Sequence, residues 1–184
     1  MLTALGRLRG AGHDWGSTAA ERELSLPCDE VLPDAEQVLH RAVDVDAPPA
    51  AVFRWLCQLK VAPYSYDLID NFGRRSPREL TPGAERLEPG QRVMKIFRLA
   101  DFELDRQITV VRPGLAVTYV ALDGRLLMRI RSSNRLRWLP YLDLVMARKQ
   151  LLTLKRLIEA HGARPLDGGG GAIGPGVPVA DRQQ

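Results

Sequence analysis

An α+β domain is predicted for this chain: a curved antiparallel sheet wrapped around one long C-terminal helix, with two short helices nearer the N-terminal side. Three observations predict it. From about residue 91 onward, short stretches of two-residue hydrophobic alternation are separated by Pro113-Gly114 and Asp123-Gly124, the turn chemistry of successive hairpins. Residues 141–161 carry Leu144, Ala147, Leu151, Leu154 and Ile158, a repeat at helical spacing that gives a helix one apolar stripe. A chain of 184 residues with 45% hydrophobic content builds a single domain with a sizeable core.

The elements follow in order. Residues 1–35 hold few periodic apolar positions and read as an irregular arm, with Trp15 as its large anchor. The folded body spans 36–162. Its first strand, 37–45, sets Leu39, Val43 and Val45 on one face, which Arg41 interrupts. A buried guanidinium needs a carboxylate partner; an anionic ligand would serve, but snorkelling to the sheet edge is the expected outcome.

DAPP at 46–49 starts a helix, because proline is tolerated in the first turn where its missing N–H has no partner. The helix over 49–59 places Val52, Leu56 and Leu59 on a stripe beside Trp55. Residues 62–73 read as a second short helix or tight connection, and 74–90 as loop broken by Pro77, Pro82 and Pro89. Strands are then expected at 91–99, 101–112, 115–121 and 125–132. In them Leu104, Ile108 and Val110, then Leu115, Val117 and Tyr119, then Leu126, Met128 and Ile130 define an apolar face. The other face is mostly wet. The helix covers the apolar face and Gly162 ends it. Residues 163–184, rich in Gly and Pro, are read as a flexible tail.

Charge is unevenly placed. Residues 1–46 hold nine acids (Asp14, Glu21, Glu23, Asp29, Glu30, Asp34, Glu36, Asp44, Asp46) against four arginines. Residues 125–137 hold Arg125, Arg129, Arg131, Arg135 and Arg137 and no acid, a solvated strand edge or else a surface for anions. Arg129 and Arg131 fall on the face opposite Met128 and are expected outside. The run lacks interleaved aromatics for base stacking, so nucleic acid is not expected as a partner.

Cys28 and Cys57 lack a paired spacing and the three histidines stand far apart, so neither a metal nor any other cofactor is expected. With about 18 consecutive apolar residues nowhere in the chain, no transmembrane segment is expected, and the protein is placed in the cytoplasm with reduced thiols.

The segments VDVDAPPAAVFRWLCQL at 43–59, PYSYDLIDNF at 63–72 and VMARKQLLTLKRLIEA at 145–160 resemble the START-like superfamily of polyketide cyclases and lipid-transport proteins, whose fold is described as a helix grip. They are similar to a bacterial subgroup of largely uncharacterised members. The resemblance spans about 36–162, and 21–34 is similar to that subgroup's approach to its first strand. It implies a seven-stranded sheet with a tunnel beside the last helix, used for lipids, sterols or polyketides. Five strands are evident in the sequence, so 74–90 is expected to supply the missing pair.

Tyr64, Tyr66, Asp67 and Asn71 form a compact polar cluster beside apolar neighbours, suited to a pocket mouth; equally, the tyrosines serve as packing and Asp67 as a turn cap. Phe97, Tyr119, Met128, Ala147 and Leu151 are expected to line the cavity, or to be ordinary core. Binding of an apolar small molecule without catalysis ranks first. A cyclase or aromatase-like enzyme in the same cavity, with Tyr64, Tyr66 and Asp67 as weak catalytic candidates, ranks second. Contact of the 125–137 stretch with a membrane surface ranks third.

Overall fold

A computed structural model of the chain describes residues 13–65, 75–133 and 139–162, without the side chains of 139–142. Seven strands form one mixed sheet: β1 (Asp14–Trp15), β2 (Gln37–Asp44), β3 (Arg92–Val93), β4 (Phe97–Glu103), β5 (Gln107–Arg112), β6 (Leu115–Leu122) and β7 (Arg125–Ser132). Their spatial order is β1-β2-β7-β6-β5-β4-β3. The β1–β2 pair is parallel and every other pair antiparallel. Among the described residues four α-helices accompany the sheet: α1 (Ala19–Arg22), α2 (Pro27–Val31), α3 (Pro49–Cys57) and the long α4 (Leu139–Gly162).

The period-2 reading of β6 and β7 holds. Val117, Tyr119, Leu126, Met128 and Ile130 all enter the main core, joined by Leu39 of β2 and by Ala147, Leu151, Leu154 and Ile158 of α4. Leu144 of the expected stripe is only half-buried. The helix α3 begins with Pro48 as its cap and Pro49 in its first turn, buries Val52, Phe53, Trp55, Leu56 and Cys57, and runs into a 3-10 turn over Gln58–Lys60. It packs on β6 and on α4.

Three expectations are corrected. The expected strand 101–112 is a hairpin: β4 ends at Glu103, residues 104–106 turn, and Leu104 is 72% exposed. The turn closes through Arg106 N–H to the Glu103 carbonyl, with Asp105 at φ 57, a left-handed position that Asp tolerates. The expected strand 91–99 is interrupted over 94–96, where Met94 and Lys95 also have positive φ. Finally, the described part of 74–90 contains no strand; the additional strands are β1 and the one gained when 91–112 divides into three.

Residues 13–35, the described part of the arm, are more ordered than their sequence indicates. A two-sided cap shapes α1: Glu21 N–H donates to Thr18 Oγ1 at 3.2 Å and Thr18 N–H to Glu21 Oε2 at 2.7 Å, the reciprocal pairing of a capping box. The outer face of the sheet, expected to be wet, buries a second cluster of Leu26, Cys28, Ala42, Ala116, Val120 and Leu127 under the arm. Cys28 N–H donates to Thr118 Oγ1 at 3.1 Å. Gly16, at φ +74, lies so close to β2 that a Cβ would stand 2.1 Å from the Ala42 carbonyl oxygen, which excludes any side chain there.

Ion pairs fasten the arm. Arg125 meets Glu21 through two 2.8 Å contacts, and Asp29 bridges Arg129 at 2.5 Å and Arg131 at 3.0 Å. Arg129 also donates to the carbonyls of Glu21, Arg22 and Leu24 and is 4% exposed. The arginines expected outside are thus covered, because the acidic arm folds back on the basic strand. Arg135 and Arg137 lie outside the described residues.

Candidate functional site

Strand register aligns one row of side chains across the face that meets α4. Trp15 pairs with Arg41, Arg41 with Met128, Met128 with Tyr119, Tyr119 with Ile108, and Ile108 with Phe102. Successive partners in a ladder share a face. On α4, Asp143, Ala147 and Gln150 follow at i, i+4 and i+7, a spacing that sets all three along one side of a helix. The two lines meet at two points.

At one, the Arg41 guanidinium, 0% exposed, donates from Nη2 to Asp143 Oδ2 at 3.0 Å and from Nη1 to the carbonyls of His13 and His40, each at 2.9 Å. The expected snorkelling to the sheet edge is therefore corrected: β2 points Arg41 into the core, and α4 supplies the carboxylate. Burial pushes the Asp143 carboxyl up to about 6, with Arg41 pulling the other way. Burial likewise draws Arg41 below its ordinary value despite Asp143. Desolvation exceeds attraction on both partners.

At the other point, Tyr119 Oη donates to Gln150 Oε1 at 2.8 Å, and Gln150 Nε2 donates to the Pro63 carbonyl at 2.6 Å and lies 3.4 Å from Met94 Sδ. Burial raises the Tyr119 hydroxyl far above its usual range, and Asp143 adds to the effect. The residues that Gln150 ties together adjoin strained backbone, since Tyr64, Met94 and Lys95 have φ of 56, 46 and 64. Each such non-glycine residue costs about 1–3 kcal/mol.

Of the candidate residues, Tyr119, Met128, Ala147 and Leu151 lie at this helix–sheet interface. Tyr64 is buried and meets the Trp55 ring edge-on at 6.1 Å. Phe97 is partly buried, with the Arg112 guanidinium 5.8 Å above its ring. Tyr66, Asp67 and Asn71 lie outside the described residues. Asp143, Gln150 and Met94 escaped the sequence reading. A signal existed for the first two: polar residues on the inward side of an otherwise apolar helix.

The aliphatic side chains at the centre of the interface are shielded from solvent. Leu39, Leu99, Val110, Leu126, Leu151 and Leu154 are essentially inaccessible. A surface cleft of about 750 Å³ opens elsewhere, lined by Asp46, Pro48, Asp123, Gly124 and Glu159 among others; it contains none of the candidate residues. There Glu159 Oε1 already accepts from Asp46 N–H at 3.0 Å and Lys155 Nζ at 2.6 Å.

Cys28 and Cys57 are free and buried, and burial pushes both thiols up, away from the thiolate that nucleophilic chemistry requires. Among the described residues no three His, Cys, Asp or Glu side chains gather as a metal site, and no helix is long and apolar enough to cross a membrane.

No protein-family model and no curated protein matches this chain. Among solved structures, a conserved protein of unknown function from Enterococcus faecalis is similar at a TM-score of 0.35 and 12% identity, over 75% of this chain and 84% of that one.

Proposed function

We propose that this chain binds an apolar small molecule between the inner sheet face and α4, in the manner of the START-like, helix-grip proteins that its sequence resembles. The observation that carries the reading is the set of polar side chains, Arg41, Asp143, Tyr119 and Gln150, in an otherwise apolar interface. A core selected for stability alone loses nothing, or gains, when a buried ion pair such as Arg41–Asp143 gives way to well-packed hydrophobic residues. Retained polar groups beside the small Ala147 and the adaptable Met128 offer orientation to a ligand whose body is apolar. The left-handed backbone at Tyr64, Met94 and Lys95, gathered around Gln150, supports the same location.

A cyclase or aromatase-like enzyme is the second reading, favoured by the Asp143 carboxyl held at about 6. That value suits a general acid near neutral pH. The membrane-surface reading loses its basis at Arg125, Arg129 and Arg131, which are committed to the arm.

The test is Ala147→Phe, titrated with the fluorescent fatty acid cis-parinaric acid. Binding weakened at least about tenfold with an unchanged melting temperature is the expected result. If the interface has no room to give, the ring costs about 1–3 kcal/mol of stability. A destabilised variant of a protein that never bound the probe refutes the proposal.

A further inference from the structure

Resting on the apolar-ligand reading, we propose a ligand class: an amphiphile bearing a carboxylate, which Arg41 receives in the place that Asp143 occupies in the free protein.

The geometry of Arg41 supports this. Its Nη1 is oriented by two main-chain carbonyls, those of His13 and His40, at 2.9 Å each. Those bonds belong to β2 and to the residue preceding β1, so they hold the guanidinium in position whether or not Asp143 stays. Of the described contacts, the one from Nη2 to Asp143 is exchangeable. The guanidinium is always charged and recognises carboxylates, and with 0% exposure it has no water to fall back on. An anion must therefore remain beside it.

Asp143 is suited to leave. Its side chain keeps 23% of its exposure while that of Arg41 keeps none, so it reaches solvent by turning outward. Burial already disfavours its charged form. An incoming carboxylate supplies the same charge and adds apolar surface, which Asp143 cannot. From Arg41 the row continues to Met128 and Tyr119, a path for the tail that ends at the hydrogen-bonding Tyr119–Gln150 pair.

A second cation stands at the same edge of the sheet. Arg148 of α4 places its guanidinium 5.7 Å above the ring of Trp15, the neighbour of Arg41 in the row, and it is exposed. It adds attraction for anions approaching this end.

The experiment compares cis-parinaric acid with its methyl ester at pH 8, where the acid is ionised, by fluorescence titration of the whole chain, of Asp143→Asn and of Arg41→Met. Expected are tighter binding of acid than ester by the wild type, a preference that widens about tenfold in Asp143→Asn because the competing carboxylate is gone, and equal affinities for acid and ester in Arg41→Met. Equal affinities for acid and ester in both the wild type and Asp143→Asn overturn the carboxylate assignment while leaving apolar binding in place. Failure of both probes to bind overturns the apolar-ligand reading and this one with it. The wild-type comparison needs no variant to fold.

Discussion

Replacing both members of the Arg41–Asp143 pair with apolar residues should leave the protein as stable as before or more so, although each single replacement harms it. The magnitude follows from the site. A carboxyl held at about 6 rather than 3.8 is about 3 kcal/mol less stable as an anion here than in water. Asp143→Leu takes the carboxylate away from a guanidinium with no exposure, leaving its contacts to the His13 and His40 carbonyls, and should cost about 3–5 kcal/mol. Arg41→Met leaves Asp143, whose side chain is 23% exposed and can hydrate or take up a proton, at a smaller cost of about 1–2 kcal/mol. The double variant removes both desolvation penalties and should fall between no change and a gain of about 1–4 kcal/mol.

The pH dependence has a definite sign. Because the folded-state value of Asp143 is raised, the folded protein binds the extra proton between about 4 and 6, so this group's contribution is present below 4 and lost as pH rises through 6. His40, lowered by burial despite Asp14, works in the opposite sense as pH falls below 6.5, so the comparison must be made against Asp143→Leu. Urea unfolding of the four proteins at pH 4.5 and 7.5 measures every term. A double variant as damaged as the sum of its singles, or a pH response unaltered by removing Asp143, would refute the reasoning.

Two further outcomes follow from the packing. Arg129→Met removes one of the two arginine partners of Asp29 and the donor to three backbone carbonyls of the arm, leaving Arg131 in place; it should cost about 1–3 kcal/mol and expose residues 16–35 to limited proteolysis, and an arm as protected as in the wild type would contradict its dependence on these contacts. Leu151→Asp places an unpaired charge at a fully buried position of α4 and should lower stability by several kcal/mol, whereas a nearly unchanged melting temperature would show that the helix does not depend on that face.

The parts of the fold legible in the sequence are those written in local periodicity. The stripe of α4, the proline start of α3 and the hairpins around Pro113-Gly114 and Asp123-Gly124 repeat or punctuate within a few residues. The β4–β5 turn was hidden because Leu104 continues the alternation of its neighbours and no Gly or Pro marks residues 104–106. The arm was illegible for a different reason. Its order derives from Glu21 and Asp29 meeting arginines about 100 residues away, and no periodicity announces a long-range ion pair. The same holds for the site: Arg41 stood out as a charge on an apolar face, but its partner lies 102 residues further along, visible only once β2 and α4 are packed together.

Methyl NMR of the titrated protein reads the proposed site itself. With ¹³C-labelled methyl groups on Met, Leu and Val, cis-parinaric acid should shift the resonances of Met128, which lies between Arg41 and Tyr119 in the row, and of Met94 beside Gln150. Val120 and Leu127, in the outer cluster beneath the arm, should stay in place. Saturable shifts confined to the inner pair are the predicted result; saturable binding that moves Val120 and Leu127 while Met94 and Met128 remain fixed would place the ligand on the wrong side of the sheet and contradict it.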